Sequence, residues 1–195
     1  MMYQIFRFLL RAMYRLLFRL EARGVENVPV EGPVIIASNH LSNFDPPTVG
    51  VLLKRKVRFM AKEELFKVPV LGPLINSFGA FPVRRDGIGK DAIKTALNLV
   101  KSGEMLGIFP EGTRNNDSGM AKKGAALIAV RSGAVIIPTA IVGEYKLFRK
   151  TYVYYGKPLD LQAVVDQAGD QDKLEAVTEA IMRRIHMLIE QHHSS

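Results

Sequence analysis

One histidine and one aspartate stand five residues apart, directly after an apolar run. The run is PVIIA, and the segment SNHLSNFD that follows it contains His40 and Asp45. A neutral imidazole accepts a proton near pH 7, and a carboxylate on its other ring nitrogen orients it. The pattern predicts a general base with its orienting acid. Two alternatives stay open: Asp45 before Pro46 is also typical of a helix N-cap, and Ser38 and Ser42 are candidate nucleophiles, although the chain has no G-x-S-x-G elbow.

A second polar segment, FPEGTRN, follows the apolar run MLGI. Pro110 and Gly112 bend the backbone there, so we expect Glu111 and Arg114 to lie close together. A guanidinium binds a phosphate through two parallel hydrogen bonds, while a carboxylate accepts a hydroxyl proton and fixes the arginine. The segment is therefore either an anion site or an exposed turn whose Glu–Arg ion pair contributes little to stability.

A third segment, GAFPVRRD, ends an apolar run with two arginines, Arg84 and Arg85. The same guanidinium chemistry applies to them. Taken alone, two adjacent arginines after a strand are equally well explained as a solvated surface.

The elements that would position these residues alternate along the chain. Apolar runs rich in Val, Ile and Phe predict strands, and the longer stretches between them predict helices. We expect strands at 33–38, 57–61, 80–83, 105–110 and 135–142, helices at 46–54, 63–77, 89–102 and 121–132, an edge strand at 151–156 and a closing helix at 171–191. This alternation predicts an α/β fold with a mainly parallel sheet covered by helices. In such a sheet, the polar segments would gather at the carboxyl ends of the strands.

The composition of the chain limits the kinds of catalysis and the partners that it can have. A chain of 195 residues without a long linker predicts one main domain, which we place at 24–195. It has no cysteine, which excludes thiol nucleophiles, disulfides and Cys-ligated zinc. Its net charge of +8 favours nucleic acid, anionic lipid or phosphorylated substrates as partners. No zinc-finger spacing or RNP-like aromatic motif supports nucleic acid.

The first 23 residues predict an amphipathic helix. Arginines recur there at 7, 11, 15 and 19 and form a stripe about 120° wide, with apolar residues mainly on the other side. Four arginines argue against a membrane-spanning helix, and no uninterrupted apolar region or A-x-A site suggests a secretory signal. We expect an interfacial helix, separable from the domain, with arginines among anionic headgroups. The alternative is a helix packed on its own domain with a solvated basic face.

Together these segments resemble the glycerolipid acyltransferases, in particular the 1-acylglycerol-3-phosphate acyltransferases. NHLSNFD matches their N-H-x-x-x-x-D signature, GAFPVRRD resembles their second block, FPEGTRN keeps every signature position of the third, and VIIPTAI is similar to the fourth. The position before Arg85, often acidic in the family, is Arg84 here. The resemblance covers about residues 25 to 160, with the blocks in order.

The resemblance implies transfer of a fatty acyl group from coenzyme A or acyl carrier protein to the sn-2 hydroxyl of lysophosphatidate. His40 and Asp45 would be catalytic, and the residues expected to hold the glycerol phosphate are Arg85, Glu111, Gly112, Thr113 and Arg114, with Asn39 and Arg84 as further candidates. We expect no metal and no cofactor, the acyl thioester being a co-substrate.

The expected partners are the lipid substrate, the acyl donor and a membrane surface, and no nucleic acid. The expected location is the cytoplasmic face of the cell membrane, as a peripheral or monotopic protein. Two alternatives stay open, a basic membrane- or nucleic-acid-binding protein without catalysis and an acyltransferase for glycerol 3-phosphate or another lysolipid.

Overall fold

Helices and strands alternate through most of the chain. The structure is a computed structural model that describes residues 2–83, 90–111, 118–169 and 171–192. Its helices are α1 Met2–Phe18, α2 Asp45–Gly50, α3 Glu63–Phe66, α4 Leu71–Ser77, α5 Lys90–Lys101, α6 Ser118–Ser132, α7 Leu161–Gln167 and α8 Lys173–His192. Its strands are β1 Glu21–Arg23, β2 Val34–Ser38, β3 Val57–Lys62, β4 Phe81–Val83, β5 Met105–Ile108, β6 Val135–Gly143 and β7 Thr151–Tyr155, with one 3₁₀ turn at Val25–Asn27.

The described strands form one seven-stranded sheet in the order β1-β7-β6-β2-β5-β3-β4. All of its neighbouring pairs are parallel except β6 with β7. Helices connect most of the parallel strands, as the alternating pattern requires. The predicted α/β fold with a mainly parallel sheet is confirmed.

Strand β2 lies at the centre of the sheet and is buried on both faces. Val34 and Ile36 belong to the core that α1 and α2 cover, whereas Ile35 and Ala37 belong to the core under α5, α6 and α8. A continuous apolar run of this kind is typical of a parallel strand with helices on both sides. The loop that contains His40 therefore begins at a strand that is packed on both faces.

The N-terminal helix ends earlier than residue 23, where the sequence pattern places its end. Arg19 has a φ of 44°, in the left-handed region, which stops α1 after Phe18. The chain then buries Leu20 and adds β1 to the sheet beside β7. The segment at 151–156 is consequently not an edge strand, because β1 covers its outer side. Tyr14 and Phe18 of α1 also belong to the core.

The predicted helix at 63–77 is divided into α3 and α4. Pro69 lacks a backbone N–H and disfavours the helical conformation of the residue before it. Val70, with a φ of 67°, turns the chain before α4 begins. In the described parts of the chain, no helix has both the length and the apolar character that a membrane crossing requires.

Candidate active site

Two of the polar segments leave the sheet at the same edge. β2 and β5 are parallel neighbours, with Ala37 opposite Ile108, so the segments after their carboxyl ends meet. The Glu111 carboxylate accepts from the backbone N–H of His40 at 3.5 Å, a long contact. The ring of Phe109 stacks on the imidazole of His40, with centroids 4.3 Å apart and an angle of 19° between the planes. The predicted meeting of the two segments is confirmed.

His40 and Asp45 form a hydrogen-bonded pair. Nδ1 of His40 lies 2.7 Å from Oδ2 of Asp45, as the spacing predicts. The Asp45 carboxylate is fully buried, and the His40 side chain is 19% exposed. Because an ionised carboxylate only accepts hydrogen bonds, Nδ1 carries the proton between them. In the neutral imidazole, the lone pair of Nε2 is then available to accept a proton.

The Asp45 carboxylate is directed back at its own loop. Oδ2 also accepts from the backbone N–H groups of Leu41 at 2.6 Å and Ser42 at 2.7 Å. Helix α2 begins at Asp45 itself, and the residue before it, Phe44, makes no side-chain cap hydrogen bond. The N-cap alternative is therefore wrong. The carboxylate organises the loop that carries the imidazole.

The two serines of this segment are engaged within their own loop. Ser38 is buried and donates to the side-chain oxygen of Asn39 at 3.4 Å. The hydroxyl of Ser42 accepts from the N–H of Phe44 at 3.3 Å. Neither contact activates a nucleophile, so the structure does not favour the serine-nucleophile alternative.

Asn39 connects the loop to the neighbouring strand. Its amide nitrogen donates to the carbonyl of Ile141 at 3.0 Å, and its amide oxygen accepts from the N–H of Ile141 at 2.8 Å. The residue is buried. Both polar atoms of the amide thus bind the backbone of β6. Asn39, which directly precedes His40, in this way extends the contact between β2 and β6.

Of the proposed phosphate-binding residues, the structure describes Glu111. Five other candidates lie outside the described residues, namely Arg84, Arg85, Gly112, Thr113 and Arg114. Across the part of the chain that is described, no three His, Asp or Glu side chains are grouped so as to hold a metal ion.

Sequence reasoning missed one residue of the site, Tyr145. Its hydroxyl donates to Oδ1 of Asp45 at 2.7 Å. Burial, with a further contribution from the charge of Asp45, raises the pKa of Tyr145 far above its ordinary value. The chain brings Tyr145 to the site from beyond β6, 100 positions from Asp45. No local pattern around Tyr145 signals this contact.

A family model described as "Acyltransferase" matches residues 19–142, which include both catalytic candidates and the segment around Glu111. The chain belongs to the acyltransferase family. The family that the sequence predicts is thus confirmed. The alternative, a binding protein without catalysis, is not supported.

Relatives and a solved structure agree with this assignment. The acyltransferase is 37% identical over 169 residues to the 1-acyl-sn-glycerol-3-phosphate acyltransferase of Bacillus subtilis (strain 168), covering 84% of each chain. It is 32% identical over 135 residues to the chloroplastic enzyme LPAT1 of Arabidopsis thaliana, named for the same activity, covering 67% of this chain but 38% of that one. The crystal structure of PlsC from Thermotoga maritima has the same fold, with a TM-score of 0.74 and 22% identity, covering 99% of this chain and 81% of that one.

Proposed function

We propose that this acyltransferase moves a fatty acyl group from coenzyme A or acyl carrier protein to the sn-2 hydroxyl of lysophosphatidate, giving phosphatidate for phospholipid biosynthesis. The observation that carries the proposal is the 2.7 Å contact between His40 Nδ1 and a buried Asp45 carboxylate at the carboxyl end of the central strand. The relatives from Bacillus subtilis and Arabidopsis thaliana are named for this activity.

His40 acts as the general base. As the hydroxyl oxygen attacks the carbonyl carbon of the thioester, Nε2 takes the hydroxyl proton. The tetrahedral intermediate then collapses, the carbon–sulfur bond breaks, and the imidazolium returns the proton to the leaving thiolate. Asp45 stabilises the imidazolium that forms between these steps. The acyl group passes directly from sulfur to oxygen within one ternary complex.

The glycerol phosphate is held beside this base. Glu111 supports the assignment, because its carboxylate lies against the backbone of His40. By resemblance to the family, Gly112, Thr113 and the arginines at 85 and 114 complete the site. Fixed positioning of both substrates makes a bimolecular attack effectively intramolecular.

The test is acyl transfer by the purified protein with a panel of donors and acceptors, with products identified by mass spectrometry. We expect phosphatidate from lysophosphatidate, and a fall in turnover of about 10²- to 10⁴-fold in His40→Ala. His186→Ala is the matched control, because His186 is exposed on α8. A folded His40→Ala variant with wild-type turnover would refute the mechanism. Products only from glycerol 3-phosphate or another lysolipid would refute the assigned acceptor.

We further propose that α1 lies in the membrane interface. One apolar side of α1 faces away from the protein, with Phe8 70% and Leu16 69% exposed. Its inner side carries Arg7, whose Nε donates to the carbonyl of Val51 at 3.2 Å, and Tyr14, whose hydroxyl donates to the carbonyl of Phe44 at 3.3 Å. A surface helix that only covered its own domain would carry mainly polar side chains on its outer side. α1 packs Leu10, Leu17 and Phe18 against the core and exposes further apolar side chains on its outer side, which supports a lipid-facing role.

Other exposed apolar side chains adjoin this side of α1. The segment before α4 exposes Val70, which together with α4 and α1 lines a groove of about 520 Å³. The loop after β6 exposes Leu147 and Phe148, and the N–H of Phe148 donates to the carbonyl of Leu17 at 2.6 Å. Within the His40 loop, Phe44 is half exposed. Exposed apolar side chains in neighbouring segments are typical of a membrane contact, and Phe44 among them belongs to the His40 loop.

The charges around this surface suit an anionic membrane. Arg15 and Arg19 are exposed at the end of α1, and Lys146 and Arg149 flank the exposed Leu147–Phe148 pair. Each cation near an anionic surface contributes about 1 kcal/mol to binding. We therefore propose peripheral or monotopic association with the cytoplasmic face of the cell membrane.

Point variants test the membrane proposal better than deletion of residues 1–23, because Tyr14, Phe18 and Leu20 belong to the core. Phe8→Asp/Phe148→Asp should lose salt-sensitive co-sedimentation with vesicles containing phosphatidylglycerol and lose activity on bilayer lysolipid. Activity on a short-chain, soluble lysophosphatidate should persist. Met187→Asp, at an exposed apolar position of α8, is the control. Unchanged sedimentation of the double variant, or parallel loss of both activities, would refute the proposal.

A further inference from the structure

The two oxygens of the buried Asp45 carboxylate have different partners. Oδ2 accepts three hydrogen bonds, from the imidazole of His40 and from two backbone N–H groups of the loop. Oδ1 accepts the hydroxyl of Tyr145 at 2.7 Å. A buried anion depends on each such donor, because burial removes the water that would otherwise solvate it. Tyr145 thus holds the side of the carboxylate that faces away from the base.

The ring of Tyr145 is fixed by the elements around it. It packs edge-on against Phe18 of α1, with centroids 5.6 Å apart, and at a tilt of 49° against Phe44 of the catalytic loop, with centroids 5.8 Å apart. Its hydroxyl also lies 3.0 Å from the hydroxyl of Thr48, which donates to the carbonyl of Phe44 at 2.7 Å. Since a carboxylate only accepts, the phenol proton lies between Tyr145 and Asp45. The raised pKa of Tyr145 keeps this proton in place across the working pH range.

We propose that Tyr145 is a positioning residue for acyl transfer. By holding Oδ1, its hydroxyl prevents the Asp45 carboxylate from rotating about its Cβ–Cγ bond and keeps Oδ2 directed at Nδ1 of His40. It also draws negative charge toward Oδ1, which sets how strongly the carboxylate holds the imidazolium. This inference rests on the proposed role of His40 as the base.

Tyr145→Phe tests the inference, because it removes one hydroxyl and keeps the ring. We expect kcat to fall about 10-fold, with KM for both substrates within about twofold. Without the phenol donor, Asp45 holds the imidazolium more tightly, so the acidic limb of the pH–rate profile moves to higher pH. Among the residues that the structure describes, the other titratable groups near the pair are Tyr14 and Glu111, and both remain in the variant.

Tyr155→Phe is the matched control. Its hydroxyl is also buried and donates to the carbonyl of Val49 at 2.6 Å, but it does not contact Asp45. Both variants should lose thermal stability, whereas only Tyr145→Phe should change kcat and the pH profile. In a double-mutant cycle, adding Tyr145→Phe to Asp45→Asn should cost no further activity. Equal behaviour of the two tyrosine variants would overturn the inference.

Two further measurements separate this inference from the proposed function. A ¹⁵N NMR titration of the His40 ring needs no substrate, so an inactive wild-type protein would refute the function without deciding the role of Tyr145. An unshifted titration in Tyr145→Phe would refute that role. If Tyr145→Phe does not fold, 3-fluorotyrosine at position 145 keeps the ring and makes the hydroxyl a stronger donor. The titration should then move to lower pH, and an unchanged one would overturn the inference.

Discussion

Gly107→Ala should disturb His40, the proposed base, through two aromatic rings. Gly107 lies in β5 under the ring of Phe59, and a Cβ at this position would lie 2.0 Å from Cε1 and 2.4 Å from Cζ of that ring. Carbon atoms in favourable contact are about 3.5–4.0 Å apart, so the ring must move by about 1.5 Å. Phe59 is buried and stacks on Phe109, which stacks on His40. The displacement therefore reaches the imidazole of His40.

Two magnitudes follow for this variant. Overpacking a buried site costs about 1–3 kcal/mol of the free energy of unfolding. A misplacement of about 1 Å at the reacting groups lowers turnover by up to about 10²-fold, so we expect kcat to fall about 10- to 100-fold. Urea denaturation and steady-state acyl transfer measure the two effects.

A rescue variant and a control variant test whether the Phe59 ring transmits the effect of Gly107→Ala. Adding Phe59→Leu to Gly107→Ala removes the ring edge that the methyl group meets and should restore much of the lost turnover. Gly50→Ala is the control, because a Cβ there would meet Val57 at 3.6 Å and the same Phe59 ring at 3.7 Å, which are ordinary contacts. Wild-type stability and kcat in Gly107→Ala would refute the reasoning.

Three other substitutions test separate parts of the protein. Asp45→Asn should lower kcat by at least about 10-fold, and a loss of thermal stability alone would leave Asp45 a purely structural role. If Arg114 holds the phosphate as proposed, Arg114→Lys should raise KM for lysophosphatidate far more than KM for the acyl donor, because an ammonium does not form the paired hydrogen bonds of a guanidinium. The hydrogen bond from Arg58 at 2.7 Å lowers the pKa of Glu104. The ion pair therefore stabilises the folded protein above the ordinary glutamate pKa, and this stabilisation is lost as pH falls through the lowered pKa. Glu104→Gln should therefore lower the free energy of unfolding by about 0.2–1 kcal/mol at pH 7 and by nothing once Glu104 is protonated, as urea titrations at both pH values would measure.

The parts of the fold that the sequence predicts are those with a local signal. The apolar runs of β2 and β6 are strands because they are buried on both faces, and that requirement is visible in their composition. β1 has no such signal, since its three residues, Glu21–Arg23, form a strand only because β7 offers a free edge. The helix pattern continues past Phe18, and the pattern alone does not reveal the turn at Arg19.

In the candidate site, too, the sequence predicts only the contacts that are local in the chain. The pairing of His40 with Asp45 was predictable because five residues of one loop suffice to form it. Tyr145 was not predictable, because its contact with Asp45 depends on where β6 lies in the sheet. The orientation of α1 was equally hidden, since an arginine stripe opposite an apolar stripe does not indicate which side faces the domain.

The pairing of β1 with β7 joins a segment that is synthesised early to one that is synthesised late. Asn27, just after β1, donates to the carbonyl of Tyr155 at 2.8 Å across 128 positions of the chain. A ribosome therefore releases α1 long before β7 exists to complete the sheet beside it. During that interval Tyr14 and Phe18 lack most of their core partners, while the exposed apolar side of α1 is already complete. Because contacts this distant in sequence form slowly, the proposed membrane role of α1 implies that the nascent helix meets the bilayer before it packs on its own domain.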